Sequence, residues 1–438
     1  MRIIAITLLY LASAGTWSCT KPRADDKDGP GPIAPKPDEK QLDPADYPGL
    51  LWIYDAADWK NNTYHGQADF AWSNTDATPE GLTLRVQATD EVVTRTYLPL
   101  ALDADAIYRF SADVKVGNVT GANGATITIV DEWFMTSQDL VGTADFKPRS
   151  MVFQTPADGR VSLCLSLGLN SNRSSGTAYF KNLKLEKQDF FTLSSQHLRL
   201  RLRPEDAAVV SEEALTDWLA KLDRVYGAYT ELIGGEPYGG EPITILAVDQ
   251  NPRSWAYAGN PIIWHRVHVP ASLRSVAQRS DWEFGIMHEI AHDFCAGGDR
   301  YPGTTAYWNW NDELFANFRM YYALDQLNGS FVQGDKLYTG TEAKSYYRSD
   351  GGDSYENAFL QGRFTHDALM YTLIRIQEAI GWEPFRQTFR WLHTHEHSLS
   401  SDWERFDFFL TKLQSYTEVD VRGTYPSGEL AFIQTHMN

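Results

Sequence analysis

W-E-F-G-I-M-H-E-I-A-H, Trp282–His292, is the stretch that decides how this chain is read. His288 and His292 are four residues apart. On a helix that spacing stacks both imidazoles on one face, one turn apart. Two imidazoles aimed at one point can hold Zn²⁺, and the intervening Glu289 then stands where it can take a proton from water at the metal. A catalytic zinc needs a third protein ligand and an open position. Glu313, on what reads as a second helix, is the candidate third ligand, with Asp312 beside it as the alternative. Ile286, Met287, Ile290, Ala291 and Phe294 give the motif segment one apolar side, as a packed helix requires. Ser280 stands where an N-cap belongs, and Gly297-Gly298 stand where the helix should stop.

Outward from the motif, residues 191–438 read as one α+β unit, mostly helical after the histidines. His197–Arg203 alternates leucine and arginine, a strand with one apolar and one charged face. Leu215, Trp218, Leu219, Leu222, Val225, Tyr226, Tyr229 and Leu232 mark one stripe of an amphipathic helix. Pro242–Val248 reads as a buried strand, and 256–269 as a Gly-Pro kink between strands. Further helices are expected over 364–380, 383–394 and 402–416. His366, His393, His395 and His397 lack ligand spacing and read as scaffold or surface. Asn317, one turn after Glu313, is placed to hydrogen-bond a metal ligand. Asp293 reads as structural. Hydrolysis through a tetrahedral carbon also calls for an oxyanion donor. Tyr257, His265, Tyr346 and Tyr347 are the candidates, and the sequence does not choose among them.

Residues 46–190 have an apolar period of two. Tyr108, Phe110, Ala112, Val114 and Val116 alternate with polar residues, as do Val161, Leu163, Leu165, Leu167 and Leu169. Shorter runs lie at Leu82–Val86, Thr126–Val130, Met151–Phe153 and Ala178–Leu185, separated by turn-rich breaks. Short half-buried strands without helical periodicity predict an all-β sandwich. Y-R-F-S-A-D-V-K-V, and the later G-T-A-Y-F-K-N-L-K-L-E, resemble the jelly-roll, galactose-binding-like carbohydrate-binding modules attached to secreted glycan-active enzymes. Such modules stack aromatic faces on sugar rings. Trp72, Trp133 and Phe134 are the stacking candidates, with Trp52 and Trp59 as further aromatics.

At the N-terminus, Met1-Arg2 followed by Ile3–Leu11 has the layout of an export signal. The small residues after it and Ser18-Cys19 resemble a bacterial lipoprotein signal, residues 1–18, with Cys19 as the lipidated residue. Cleavage after Ala14 is the alternative. Residues 19–45 are rich in Lys, Asp, Pro and Gly and read as an extended tether. Asp25-Asp26-Lys27-Asp28 resembles the surface-export signals of gut Bacteroidetes lipoproteins. The expectation is an exported protein, anchored to the outer membrane by lipid alone and facing the cell surface. A periplasmic or secreted protein is the alternative.

Composition fits this picture. The net charge of −18 argues against a nucleic-acid partner, which would need a basic face. Three cysteines, Cys19, Cys164 and Cys295, are too few for a disulfide framework, and the last two read as buried free thiols. With 43% hydrophobic residues over 438 positions, two cores can be filled. A monomer is expected.

Three stretches of the second unit, A-Y-A-G-N-P-I, W-E-F-G-I-M-H-E-I-A-H-D-F and N-D-E-L-F-A-N-F, together resemble the enhancin-like zinc peptidases, which are gluzincins. The resemblance is specific over 255–325 and looser beyond. It implies His288, His292 and Glu313 as ligands of one Zn²⁺ per chain, Glu289 as the catalytic acid–base, and Glu313 rather than Asp312 as third ligand. It also implies hydrolysis of peptide bonds in O-glycosylated proteins, mucins above all. The unit is compact for this family, so the loops that shape specificity differ. Two other readings stay open: a glycan-binding surface lipoprotein with an inactive zinc site, and a zinc peptidase for unglycosylated peptides. Intact Glu289 weighs against the first.

Overall fold

The computed structural model describes residues 51–52, 56–74, 82–130, 132–169, 172–250, 254–298, 300–301, 308–395 and 399–437. Cys19, the tether and His397 lie outside them. Among the described residues the buried apolar side chains form two clusters, one within a β-sandwich and one within a helical unit.

One long strand, Leu82–Ala101, organises the sandwich. Its first half pairs with Asp69–Asn74 on one side and Ser174–Lys187 on the other. Its second half pairs with Lys60–His65 and Arg160–Leu167. The strand therefore belongs to two sheets. It crosses between them at Thr89–Glu91, where the buried–exposed alternation breaks. Ile107–Gly121 and Gly142–Gln154 extend the first sheet, and Ala125–Ile129 and Glu132–Thr136 the second. Leu84, Val86, Phe110, Val114 and Phe180 from the first meet Leu98, Ile127, Leu163 and Leu165 from the second in a fully buried core. Period-two patterning thus translates into inward and outward faces.

The second unit opens with a sheet of Phe191–Ser194, Leu198–Leu202, Ile243–Val248, Ile262–His265 and Ala256–Tyr257, in that spatial order. Both faces are covered. Leu198, Leu200, Leu202, Ile245 and Trp264 join the helical core, whereas Leu246, Val248 and Ile263 join the sandwich core. The arginines of the second strand face the sandwich. Arg199 and Arg201 both meet Asp105, at 2.7 and 2.9 Å. Arg203 and Arg109 share Asp249, at 2.6 and 2.9 Å. Gln250 exchanges two hydrogen bonds with the backbone of Val152, at 2.9 and 2.6 Å. The charged face of this strand is thus a seam between the two units.

Helix Glu212–Ile233 starts at Ser211, whose side chain accepts the Ala214 N–H, and ends at Gly234 with φ 86°. It buries the full stripe from Leu215 to Leu232 and supports the motif helix, Phe284–Asp293. The Tyr229 hydroxyl donates to the Met287 carbonyl, and the Trp218 indole to the Trp282 carbonyl, both at 3.0 Å. Helices His366–Ile380, Glu383–Thr394 and Asp402–Gln414 follow, as their periodicity predicts. The 256–269 stretch instead ends in a further helix, Val269–Arg279, and a hairpin, Ser330–Thr339, follows the Glu313 helix. Among the described residues no helix is long and apolar enough to cross a membrane.

Capping of the motif helix corrects the sequence reading. Ser280 ends the preceding helix with φ 55°, and the N-cap is Glu283, whose carboxylate accepts the Gly285 and Ile286 N–H groups at 3.0 and 3.3 Å. The motif helix stops at Asp293, before Gly297-Gly298. Burial, then the charge of Asp281, raises the Glu283 carboxyl to about 7; the capped N–H groups and Ser272 oppose this only in part. A carboxyl with a raised folded pKa costs nothing below its ordinary value near 4.5 and destabilises progressively as pH rises through 7. The cost at alkaline pH is on the order of 3 kcal/mol. Glu283→Gln keeps an oxygen for both N–H groups and removes the ionisation. Its melting temperature is expected to exceed that of the wild type at pH 8 and to match it at pH 4.5. An equal difference at both pH values would refute the assignment.

Candidate metal centre

The helix geometry brings His288 and His292 together, with their Nε2 atoms 2.9 Å apart. Glu313 arrives from the next helix, Asp312–Leu327, which Asn311 caps by accepting the Leu314 N–H at 2.7 Å. Its Oε2 lies 3.0 Å from His288 Nε2 and 3.5 Å from His292 Nε2. One donor atom from each of the three falls within 4.8 Å of the others.

The outer nitrogens fix the protonation of the rings. His288 Nδ1 donates to Asn317 Oδ1 at 3.1 Å, and His292 Nδ1 donates to Asp312 Oδ2. With the proton on Nδ1, each Nε2 presents a lone pair to the other and to the Glu313 carboxylate. Three lone-pair donors converging on one point repel one another unless a cation lies between them. Two imidazoles and a carboxylate with an open side make up a catalytic zinc donor set, so the residues fit the metal. Burial disfavours ionisation of Glu313, yet His292 and His288, whenever they take a proton on Nε2 in place of a cation, outweigh it and hold the carboxyl far below the usual carboxylate range.

Asp312 and Glu313 divide the labour between neighbouring positions. Asp312 turns inward and is 2% exposed; Glu313 faces the opening. Asp312 Oδ1 receives hydrogen bonds from Arg319 Nη2 at 3.1 Å and Asn309 Nδ2 at 2.9 Å. Arg319 is itself 1% exposed. The carboxylate that orients His292 is therefore anchored by a buried guanidinium two turns along the same face of its helix.

Glu289 is half-buried beside the donor triad. Burial raises its carboxyl, while the His288 and His292 charges pull the other way. Asp293, fully buried, accepts from the Tyr238 hydroxyl at 2.8 Å and pairs with Arg300, tying down the loop after the motif. Phe284 stacks on His288 with ring centres 6.2 Å apart, and Tyr346 packs edge-on against Phe284 at 6.0 Å. These two half-buried rings form an aromatic wall next to the histidines.

The oxyanion candidates scatter. His265 is 2% exposed and its Nδ1 is held by the Ser254 carbonyl; Tyr257 sits edge-on to it at 5.8 Å. Tyr347 is 2% exposed, with a buried hydroxyl that has no partner among the described residues. Tyr346 is the one next to the Phe284 wall. On the sandwich, Trp72 lies 5.7 Å from buried Trp59 and packs on the core. Trp133 and Phe134 fall on strand Glu132–Thr136, but their side chains lie outside the described ones.

Two residues near the triad have no sequence signal. His366 and Asp367, at the start of helix His366–Ile380, feel the charge of Glu313, and Asp367 also feels His288. Burial, then Asp353, raises Asp367 to about 6, and burial lowers His366. His393, by contrast, is scaffold: its Nδ1 accepts the Gly297 N–H at 3.2 Å.

No protein-family model matches the chain. Among curated proteins, TRPM8 channel-associated factor 2 of Homo sapiens is 26% identical over 172 residues, which is 39% of this chain and 18% of that protein. Among solved structures, a metallopeptidase from Bacteroides thetaiotaomicron aligns over 72% of this chain and 57% of its own, with 10% identity and a TM-score of 0.37. A metallopeptidase in complex with Tn antigen aligns over 81% and 68%, with 11% identity and a TM-score of 0.36. A structure described as CBM4 aligns over 34% of this chain and 100% of its own, with 16% identity and a TM-score of 0.24.

Proposed function

We propose that this chain is an exported, zinc-dependent endopeptidase acting on O-glycosylated, mucin-like proteins, with the sandwich as its glycan-binding module. The observation that carries the hydrolytic reading is the meeting of His288, His292 and Glu313 donor atoms with Glu289 alongside. Zinc, when bound there, would supply Lewis acidity to the scissile carbonyl. Glu289 takes the proton of the attacking water and hands it to the leaving amine. A carboxyl raised by its surroundings suits both halves of that transfer. Asn317 and Asp312 hold the two imidazoles in the tautomer that leaves Nε2 free.

The glycan part rests on the sequence resemblance of the sandwich strands to carbohydrate-binding modules. The arginine seam supports it, because a sugar held on a fixed sandwich keeps its polypeptide near the metal centre and raises the effective concentration. Surface anchoring through Cys19 is proposed from the leader alone.

Digestion of an O-glycosylated mucin, before and after enzymatic removal of its glycans, tests the reading. The zinc-loaded chain is expected to cut the glycosylated form and to leave the stripped form largely intact. Equal cutting of both would favour a peptidase for unglycosylated chains, and no cutting despite bound zinc would favour the glycan-binding lipoprotein.

A further inference from the structure

Resting on the hydrolytic reading, we infer that the Arg375–Glu429–Tyr355 network is a positioning device for the metal centre: it fixes the turn that carries Tyr346, and so the aromatic wall beside His288 on which an apolar group of the substrate packs. Glu429 opens helix Glu429–Met437, and Arg375 lies on helix His366–Ile380. The Arg375 guanidinium takes both Glu429 oxygens, Nη1 with Oε1 at 3.3 Å and Nη2 with Oε2. The Tyr355 hydroxyl donates to Glu429 Oε1 at 2.6 Å and accepts from Arg375 Nη1 at 3.0 Å. Glu429 and Tyr355 are buried and Arg375 is half-buried, so loss of one partner strands another away from water. Packing follows the same line. Phe359 meets Phe432 at 5.1 Å, and Phe364 stacks on His436 at 5.6 Å.

Tyr355 carries this anchorage to the metal centre through its backbone. Its N–H donates to the Tyr347 carbonyl at 3.0 Å, and the Glu356 N–H to the Arg348 carbonyl at 2.9 Å. Both carbonyls belong to a π turn, Tyr346–Asp350, closed by the Gly351 N–H on the Tyr346 carbonyl at 2.7 Å. Such turns are rare in helices and frequent at functional sites. Tyr346 reaches Phe284, with 6.0 Å between ring centres, and Phe284 lies within 10° of parallel to the His288 ring. Phe331 and Tyr338 back the wall from the hairpin, at 5.8 and 5.4 Å from Tyr346. The ionic tie from the hairpin to the turn, Lys336–Asp350 at 2.6 Å, is exposed and contributes little. The Arg375–Glu429–Tyr355 network is therefore the stronger polar hold. Tyr346 and Phe284 are only half-buried, so each keeps ring surface open beside a candidate metal ligand. Open apolar surface next to a polar donor set suits an apolar substituent of the molecule bound there.

The test uses the zinc-loaded full chain and two zinc-binding probes, acetohydroxamate and benzohydroxamate, which differ by an aromatic ring. Calorimetry gives both affinities for wild type, Tyr346→Ala, Glu429→Gln and Tyr355→Phe, with zinc content determined for each. Hydrogen exchange follows the amides of 346–350. The wild type is expected to prefer benzohydroxamate by about tenfold or more. Tyr346→Ala should remove most of that preference. Glu429→Gln should remove as much at unaltered zinc content, with exchange over 346–350 faster by about tenfold. Tyr355→Phe, the milder change, keeps the ring and loses one hydroxyl, and should fall between. Combining Tyr346→Ala with Glu429→Gln should cost no further preference, because both act through one wall. Equal affinity of the two probes for the wild type overturns the role of the wall. A preference that survives Glu429→Gln, or exchange over 346–350 that stays at the wild-type rate, overturns the positioning role and leaves the network as a support of helix Glu429–Met437. If the wild type cleaves no peptide but shows the preference, and Glu429→Gln loses it, the hydrolytic reading fails and the assignment of the network stands.

Discussion

Glu289→Ala is expected to abolish measurable hydrolysis, a loss on the order of 10³–10⁴, while the chain still binds about one zinc. Glu289 is not one of the three converging donors, so metal retention follows from the geometry. Its place between the two candidate ligand histidines gives it no other evident task. It is half-buried, its carboxyl is raised by burial, and it packs in no ion pair among the described residues. A carboxylate left there without a chemical role would only cost stability. Glu289→Gln sharpens the experiment, because it preserves shape and cannot take a proton. Both variants should be inactive against a mucin substrate and both should match the wild type in zinc content by elemental analysis. Residual activity within tenfold of the wild type in either variant would remove Glu289 from the proton transfer.

Asp312→Ala should produce the largest loss of stability of any substitution near the site. The change strips the partner from Arg319, which is 1% exposed, and the acceptor from His292 Nδ1. Leaving one member of a buried ion pair alone costs about 3–5 kcal/mol. For a unit of this size that lowers Tm by roughly 10 °C. Zinc affinity should fall by about 10- to 100-fold as His292 loses its orientation. Asn317→Ala provides the contrast. It removes the acceptor from His288 Nδ1 but strands no charge, so zinc affinity should drop while Tm in the metal-free state stays nearly constant. Thermal denaturation with and without chelator, together with a competitive zinc titration, separates the two. A metal-free Tm for Asp312→Ala equal to that of the wild type would show that Arg319 finds another partner and that the anchoring role is wrong.

These two expectations differ in how far the sequence reaches. The His288–Glu289–His292 arrangement is local: 3.6 residues per turn place positions i and i+4 on one face wherever the helix sits. Alternation over residues 46–190 likewise specifies strands and their inner faces, because a pleated strand has only two sides. The helices after the metal centre follow from stripes such as Leu215–Leu232 that bury one side.

What neighbours across space decide was not legible. Asp312 and Glu313 are chemically alike and adjacent. They point about 100° apart on a helix, and only the packing of that helix against Phe284–Asp293 aims one at both Nε2 atoms and the other at His292 Nδ1. Arg319 has no sequence mark that separates a buried anchor from a surface cation. Glu283 rather than Ser280 caps the motif helix because Val269–Arg279 ends at Ser280, a boundary set by how two helices meet. Arg199, Arg201 and Arg203 read as one charged face of a strand, and the sandwich docked on them turns that face into a seam. Spacing along one element determined which side chains the chain can offer to a metal. Contacts between elements, which depend on how separate apolar faces are buried together, determined which side chains orient, anchor and surround it.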